Sequence, residues 1–481
     1  MMRDTEWIDA FIENNRERFI KVNDDVWKYA ELAFREEKSA ACLEQVLKEE
    51  GFSVETGLAG IPTCFSATYS QGSGKPVMGI LGEYDALAGL SQEAGNPEKK
   101  EKVPGGAGHG CGHCALGAGA LGAAVAVKEY LKETGKDGTI IYFGCPAEEG
   151  AGSKQFMARA GVFEQVDFVY TWHPATVNQV ESVHSNAIMG ANFRFKGVSS
   201  HAGATPYLGR SALDACELMG VGCNYLREHV IPEARIHYAY IDTGGTAPNV
   251  VQDHAMVRYE VRAPYVSQVK ELFERVKEVA RGAAIMTGTT MECELAMAFT
   301  EYIPNHALAG VADECLKEVG APRWTEEDYA LAKRFLDTYN EETKKQIRKQ
   351  VEELYGEERV EEMMSRPLDG EIHGYDPAKI RLQAGSTDVG DVGYAVPTLN
   401  LNIATACVGN VGHTWQMTAQ SCSPLAHKGL LTAAKVLALS CIRTMGQPEI
   451  IEKAKEEVKK RNGGRYQCPL PDSVQPPLDT Y

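Results

Sequence analysis

Hydrophobic positions along this chain repeat with two different periods, and segments of the two kinds alternate. Short apolar runs rich in β-branched or aromatic residues indicate buried strands, and longer amphipathic or Gly/Ala-rich segments between them indicate helices. The predicted strands lie at 76–82, 139–144, 166–172 and 398–404, and the predicted helices at 5–50 (a pair), 115–131 and 425–441. Because strand and helix signals alternate, we expect an α/β fold with a mixed, mostly parallel sheet covered by helices.

The pattern changes over residues 188–303, where the order becomes strand, helix, strand, strand, helix, strand. The predicted strands are 188–196, 235–242, 254–262 and 290–298, and the helices are 211–229 and 267–284. This order is typical of the ferredoxin-like arrangement of two helices on one sheet. We therefore predict an inserted α+β domain at 188–303, between two parts of a catalytic domain at 1–187 and 304–481.

Residues 324–364 are dense in Glu, Lys and Arg, with apolar residues at helical spacing. This pattern predicts surface helices, and the simplest interpretation is a solvated helical hairpin without a catalytic role. The polar, Pro-rich tail from residue 462 is expected to be irregular.

Composition excludes several classes of function. The net charge is −17, from 49 basic and 66 acidic residues, which argues against a nucleic-acid-binding surface. The chain has 13 cysteines, an odd number, and they are spread along its whole length. This usage is typical of reduced cytosolic proteins and not of a disulfide framework. No signal-peptide core follows the first methionine, and no apolar run approaches the roughly 20 residues of a membrane span. A cytoplasmic enzyme is expected, with no membrane or nucleic-acid partner.

Four short motifs with metal-binding side chains lie at the ends of predicted strands. They are H-G-C-G-H at 109–113, P-A-E-E-G at 146–150, W-H-P at 172–174 and G-H-T-W at 412–415. Open α/β sheets bind ligands beyond the carboxyl ends of their strands, so one site can collect all four. The candidate ligands are Cys111, His113, Glu149, His173 and His413, enough for one or two divalent metals.

Cys111 and His113 are separated by one residue, and glycines on both sides of Cys111 let the backbone aim the two side chains at one point. A thiolate with an imidazole suits zinc, cobalt, iron or manganese better than magnesium or calcium. Taken alone, the pair could equally be a buried structural cysteine beside a turn histidine, and His173 alone would more often be structural. The agreement of all four motifs favours a metal site.

Glu148 and Glu149 are adjacent, so their side chains point in different directions. One can bind a metal while the other stays free as the general base for an attacking water. Such a pair is usually surface charge, but this one lies between an apolar strand and Gly150. Asp85 could accept a hydrogen bond from a ligating imidazole. Asp388 and Asp391 could do the same, although capping of a helix near residue 387 is the preferred interpretation.

Three further polar residues lie in the inserted segment. His201, in S-S-H-A-G, could stabilise an oxyanion if this domain, or that of a second subunit, covers the site, or it could be a simple turn histidine. Asn249 and Arg262 lie at predicted strand edges, where each could bind a substrate carboxylate or carbonyl.

These motifs resemble the metallopeptidase M20 family, in its N-acyl-amino-acid amidohydrolase branch, over nearly the whole chain. H-G-C-G-H, P-A-E-E-G and S-S-H-A-G carry the likeness. G-S-T-D-V-G-D-V, V-G-H-T-W-Q and the charged helices are closer still to the type that hydrolyses aminobenzoyl-glutamate.

The resemblance implies a dinuclear site with two divalent ions, Mn or Zn, or Co. Cys111 would bridge them, with His113, Glu149, His173 and His413 as the other ligands. Glu148 would be the base, Asp85 would support a ligand, and Asn249 and Arg262 would bind substrate. In a dimer formed by the inserted domain, His201 would reach into the site of the partner chain. The branch usually has Asp or Asn after C-G-H, and Cys114 here puts the metal preference in question.

The expected reaction is hydrolysis of the amide bond of an N-acyl amino acid, with N-(4-aminobenzoyl)-glutamate as the expected substrate. Two alternatives stay open at this point. The first is a dipeptidase or a deacylase of another acyl-amino acid. The second is a non-catalytic or weakly active partner subunit in a heteromer with a paralogous chain.

Overall fold

The computed structural model describes residues 3–479, so Met1, Met2, Thr480 and Tyr481 lie outside the described residues. Its strands form a large mixed sheet, a smaller antiparallel sheet and a short two-stranded pair. The strands are β1 Ser53–Thr56, β2 Phe65–Gln71, β3 Val77–Gly82, β4 Gly138–Gly144, β5 Phe168–Ala175, β6 Gln179–Val180, β7 Val183–His184, β8 Ala187–Lys196, β9 Arg235–Asp242, β10 His254–Ala263, β11 Thr290–Phe299, β12 Arg381–Leu382 and β13 Thr398–Ala404.

The large sheet has the order β1-β2-β4-β3-β5-β13-β6. Its four central strands, β4, β3, β5 and β13, are parallel, and the outer strands pair antiparallel. The predicted fold class, a mostly parallel mixed sheet in an α/β protein, is therefore confirmed. Because the central strands run in one direction, the loops after them meet at one edge of the sheet.

Fifteen α-helices lie in the described residues. They are α1 Asp4–Asn14, α2 Arg16–Tyr29, α3 Glu37–Glu49, α4 His113–Thr134, α5 Lys154–Arg159, α6 Ala212–Leu226, α7 Val266–Thr287, α8 His306–Val319, α9 Glu326–Asp337, α10 Glu341–Tyr355, α11 Val360–Ser365, α12 Val389–Ala395, α13 Trp415–Gln420, α14 Pro424–Met445 and α15 Pro448–Asn462. The long helices α4 and α14 pack directly on the large sheet. The N-terminal prediction of two helices is wrong, because three are present. The pattern missed the break at Asn15, where one amphipathic face continues into the next helix.

Helix α4 packs closely on the sheet because small residues line its inner face. A Cβ added at Gly119 would lie 2.8 Å from the ring of Trp172, and one at Gly117 would lie 2.6 Å from the Glu83 carbonyl. Helices α4 and α14 are long and apolar enough to span a membrane, but 94% and 83% of their most apolar windows are buried inside the protein. The expectation that no apolar stretch approaches this length is wrong, and both helices are core elements of the fold.

The segments predicted over 188–303 form the smaller sheet, with order β11-β8-β10-β9 and every pair antiparallel. Helices α6 and α7 pack on it, so the chain order βαββαβ of the ferredoxin-like arrangement is present. The division of the chain into domains at 187 and 303 stays a prediction.

The charged segment 324–364 is more than a solvated hairpin. It forms three helices, α9 to α11, whose apolar side chains make a small core of their own. The hydroxyl of Tyr339 donates to Asn410 Oδ1 and accepts from the Val411 backbone N–H, both at 3.0 Å. The insertion therefore braces the loop that carries His413.

Candidate active site

The four parallel strands bring the predicted site residues to one edge of the sheet. Asp85 follows β3, and the two adjacent glutamates follow β4. His173 lies inside β5, because that strand continues through residue 175 and so ends later than predicted. His413 lies in the loop between β13 and α13, with φ of 57°, and its backbone N–H donates to the Gly110 carbonyl at 2.8 Å.

Cys111 and His113 lie at the start of α4. Gly112 between them has φ of 89°, and a Cβ there would lie 2.9 Å from Met417 and 3.0 Å from Pro174. Both the conformation and the close approach require glycine. The turn aims Cys111 at β5, and its Sγ lies 3.4 Å from His173 Nε2.

The His113 ring is fully buried and has a partner on one side only. Its Nδ1 lies 2.7 Å from Asp85 Oδ1. Its Nε2 is buried without a hydrogen-bond partner and faces carboxylate oxygens of Glu83 at 3.3 Å and Glu148 at 4.0 Å. A buried ring nitrogen without a partner, surrounded by carboxylates, fits a cation bound at this point.

Two groups of candidate ligands share one sulfur atom. Cys111 joins His113 and His173 in the first group, and Glu149 and His413 in the second, with the ligand atoms of each group within 4.8 Å of one another. Glu149 Oε1 lies 3.2 Å from His413 Nε2, a contact within ion-pair distance that does not satisfy hydrogen-bond geometry. The donor set of thiol, imidazoles and carboxylate fits divalent metals.

The adjacent glutamates are in different electrostatic environments. Burial raises the pKa of Glu148 well above its ordinary value, and the nearby Glu83 carboxylate raises it further. Burial acts in the same direction on Glu149, but His413 and His113 outweigh it and lower that pKa to about 2. Two neighbouring carboxyl groups whose pKa values are pushed apart are suited to different roles, one as an ionised ligand and one as a proton carrier.

Sequence reasoning missed a buried ion network beneath these ligands. The Lys154 ammonium lies 2.7 Å from Glu83 Oε1 and 2.6 Å from Asp388 Oδ1, and all three side chains are buried. Glu83 also joins His113 and Glu148 in a third candidate ligand group. The one available signal for Glu83 was its position directly after a predicted strand, and nothing in the pattern marked Lys154.

The preferred interpretation of Asp388 and Asp391 as caps of the helix near residue 387 is wrong. Asp388 precedes α12 but makes no side-chain cap there. Its Oδ2 instead accepts the backbone N–H groups of Ser153 and Lys154, each at 3.0 Å. Asp391 accepts from the Tyr466 hydroxyl at 2.8 Å. Neither carboxylate is hydrogen-bonded to a ligating imidazole among the described residues.

A large cleft of about 1860 Å³ opens between the ligand cluster and the smaller sheet. Arg262 on β10 lines it and contacts Ser386 Oγ at 3.2 Å and Glu260 at 3.4 Å. The irregular tail contributes residues 473–479 to its wall. The cleft therefore joins the cluster of candidate metal ligands to a positively charged side chain of the inserted segment.

His201 and Asn249 do not line this cleft. Both are exposed, and they are neighbours, because the Ala202 backbone N–H donates to the Asn249 carbonyl at 2.9 Å. The His201 Nδ1 accepts backbone N–H groups at 3.1 and 3.0 Å, so its Nε2 carries the proton.

Cys114 is fully buried, its Sγ lies 3.7 Å from the Ser421 carbonyl, and it belongs to no candidate ligand group among the described residues.

Comparison with known proteins agrees with this geometry. Residues 79–371 match the model of peptidase family M20/M25/M40. The chain belongs to this family. Among its relatives, one of the p-aminobenzoyl-glutamate hydrolase subunits of Escherichia coli (strain K12) is 40% identical over 474 residues, which are 98% of each chain. The Xaa-Arg dipeptidase of Mus musculus is 26% identical and covers 93% of this chain and 90% of its own length.

Solved structures show the same M20 fold. A dinuclear metal binding peptidase of the M20 family from Bacillus subtilis aligns with a TM-score of 0.60 and 18% identity, covering 90% of this chain and 99% of its own. An aminobenzoyl-glutamate utilization protein from Klebsiella pneumoniae aligns with a TM-score of 0.58 and 20% identity, covering 88% and 98%. These structures show the fold, and the family match together with the 40% identical relative makes the chain a hydrolase of that family.

Proposed function

We propose that this enzyme hydrolyses N-(4-aminobenzoyl)-glutamate to 4-aminobenzoate and glutamate, using two divalent metal ions, Mn or Zn, with Co also suitable. The observation that carries the proposal is the pair of ligand groups that share Cys111. Cys111, His113 and His173 would hold one divalent metal, and Cys111, Glu149 and His413 would hold the other. Glu148 belongs only to the third candidate group, with Glu83 and His113, which this assignment does not need, so Glu148 would stay free.

Two bound metals would polarise the amide carbonyl and favour deprotonation of the attacking water. Glu148 would take the proton from this water and pass it to the nitrogen of the leaving amino acid. Its raised pKa suits a group that must hold the proton between these two steps. Asp85, hydrogen-bonded to His113, would keep the ring oriented with Nε2 toward the metals.

The substrate assignment is supported by the name of the Escherichia coli relative and by the charge of the cleft. Arg262 presents a guanidinium to the cleft, and guanidinium groups bind carboxylates with two parallel hydrogen bonds. Glutamate as the leaving amino acid supplies two carboxylates.

The proposed assembly is a homodimer through the inserted domain. Strand β9 is an edge of the smaller sheet, and its Tyr238 and Tyr240 are exposed, as is Tyr225 on the neighbouring α6. An exposed edge strand with aromatic side chains is suited to pairing with a second copy. Such a dimer could bring His201 and Asn249 of one subunit to the cleft of the other.

A heteromer is the second candidate assembly. The chain is also 31% identical over 261 residues to a different p-aminobenzoyl-glutamate hydrolase subunit from the same Escherichia coli strain. Two related chains that carry the name of one hydrolase favour a paralogous partner for this protein as well.

Cytoplasmic location is proposed from the free cysteines, many of them buried.

The test is hydrolysis by the purified chain, freed of metal and reloaded with Mn, Zn or Co. The panel is N-(4-aminobenzoyl)-glutamate, other N-acyl amino acids and dipeptides, including one with C-terminal arginine. Size-exclusion chromatography of the active fraction gives the assembly. Elemental analysis of Cys111→Ala should find most of the metal lost. Preference for another acyl-amino acid or a dipeptide would replace the substrate assignment, and no hydrolysis with any metal would favour a supporting role beside a paralogous chain.

A further inference from the structure

Glu36 is a buried carboxyl group that lies outside the cluster of candidate ligands and binds the loop that carries Glu148 and Glu149. It precedes α3, but its side chain makes no cap on that helix and turns into the protein, where the residue is 0% exposed. Its Oε1 accepts the backbone N–H of Ala147 at 2.9 Å and that of Phe34 at 3.0 Å. Its Oε2 accepts from the Thr63 hydroxyl at 3.1 Å.

Ala147 needs such a partner because of its backbone conformation. Its φ is 63°, in the left-handed region that residues with a Cβ rarely adopt. Its carbonyl accepts the backbone N–H groups of Gly150 at 3.1 Å and Gly152 at 2.9 Å, so the turn closes on itself. The N–H of the same residue donates to Glu36, which ties the turn to the segment before α3.

A second carboxylate holds the loop two residues further on. Asp85 Oδ2 accepts the backbone N–H of Glu149 at 2.8 Å. Glu148 therefore lies between two anchored peptides, Ala147 on Glu36 and Glu149 on Asp85. These two anchors fix the directions in which the adjacent glutamate side chains leave the backbone.

We infer that Glu36 is a positioning residue for the reaction: by accepting the Ala147 N–H, it holds the left-handed turn that directs Glu148 into the cleft. The role rests on the proposed function, in which Glu148 is the base. Glu36 acts as a hydrogen-bond acceptor here, and a carboxylate charge is not required. The pKa of Glu36 agrees with this role. Burial raises it most and the Asp85 carboxylate raises it further, to about 8.

Three variants separate this role from a general loss of structure. Glu36→Gln keeps a carbonyl oxygen for the two N–H groups and an NH₂ group for the Thr63 hydroxyl. Glu36→Met fills similar space but offers no acceptor. Glu31→Met is the matched control, because Glu31 lies in the same segment and its carboxylate accepts from the start of α3, from Lys38 N at 3.1 Å and Ser39 N at 2.9 Å.

The readouts are kcat and KM, metal content by elemental analysis, and hydrogen–deuterium exchange of a peptide covering residues 145–152. Glu36→Met should lower kcat about 10²-fold, the scale for misplacing a catalytic group by about 1 Å, with KM and metal content close to the parent. Its loop peptide should exchange faster. Glu36→Gln should stay within about threefold of the parental kcat, and Glu31→Met should keep parental kcat and loop exchange.

Parental kcat and parental loop exchange in Glu36→Met would overturn the inference, and so would a Glu36→Gln variant as impaired as Glu36→Met. If Glu36→Met does not fold, Thr63→Val takes its place, since it removes the hydroxyl that is hydrogen-bonded to Oε2. The expected loss in kcat is about tenfold, and parental kcat with parental loop exchange in this variant would overturn the inference. Exchange is measured without substrate. Its result therefore stands even if the proposed reaction fails, and the two failures are distinguishable.

Discussion

The Nδ1 atom of His113 lies 2.7 Å from Oδ1 of Asp85, in a pair that is buried on both sides. The contact fixes the tautomer of the imidazole, with the proton on Nδ1 and the lone pair of Nε2 directed at the candidate metal position. The other oxygen of Asp85 holds the backbone of Glu149. One carboxylate therefore orients two of the proposed ligands.

Asp85→Asn is expected to weaken metal binding by about 10- to 100-fold, because the amide cannot reproduce both contacts of the carboxylate. Equilibrium dialysis with Zn²⁺ or Mn²⁺ measures the change. Asp137→Asn, at an exposed position outside the motifs, is the control and should bind metal like the parent. Parental affinity in Asp85→Asn would show that His113 does not depend on this partner.

Lys154→Met should destabilise the fold by about 3–5 kcal/mol, because it leaves the buried carboxylates of Glu83 and Asp388 without their cation. Urea unfolding of the metal-free protein measures the loss without the contribution of bound metal. Lys132→Met, which breaks an exposed contact with Glu129, is the control and should change little. A loss no greater in Lys154→Met than in the control would contradict the assigned role of the network.

Much of the fold, and the clustering of the candidate ligands, could be predicted from the sequence. Strand ends and glycine turns are local features, and they marked Cys111, His113, Glu149 and His413. Lys154 could not be found in this way, because its partners are distant in sequence and only the folded chain brings them together. The helix cap expected of Asp388 failed for the same reason, because its carboxylate binds the distant Ser153 and Lys154. The break at Asn15 is local, since the Asn15 amide donates to the Phe11 carbonyl, and the apolar periodicity alone did not show it.

The pH dependence of stability should report on Glu36. Its pKa is about 8 in the folded protein and about 4.3 in an unfolded chain. Between these values the folded state keeps a proton that the unfolded state has lost, so stability falls as pH rises, by up to about 1.4 kcal/mol per pH unit for this group. Between roughly pH 5 and 8, the window between the two pKa values, the free energy of unfolding of Glu36→Gln should fall less steeply with pH than that of the parent. Urea unfolding at several pH values measures both slopes. Identical slopes would mean that Glu36 is ionised in the folded protein.

Complementation between two inactive variants tests whether His201 acts across a dimer. His201→Ala and Glu148→Gln should each be nearly inactive alone. Heterodimers made by co-expression would contain one site with both wild-type residues, and that site should recover part of the activity. Proven heterodimers without any recovery would place His201 in the site of its own subunit, or outside catalysis.

The most direct test of the proposed mechanism is kcat of Glu148→Gln, measured beside its metal content. Glutamine keeps the size and polarity of the side chain but cannot accept a proton from water. The protein should keep its fold and bound metal while kcat falls by at least about 10²-fold, the scale for losing a general base. Glu164→Gln, at an exposed position, is the matched control and should keep parental kcat. A Glu148→Gln enzyme with full metal occupancy and near-parental kcat would contradict the assignment of Glu148 as the base.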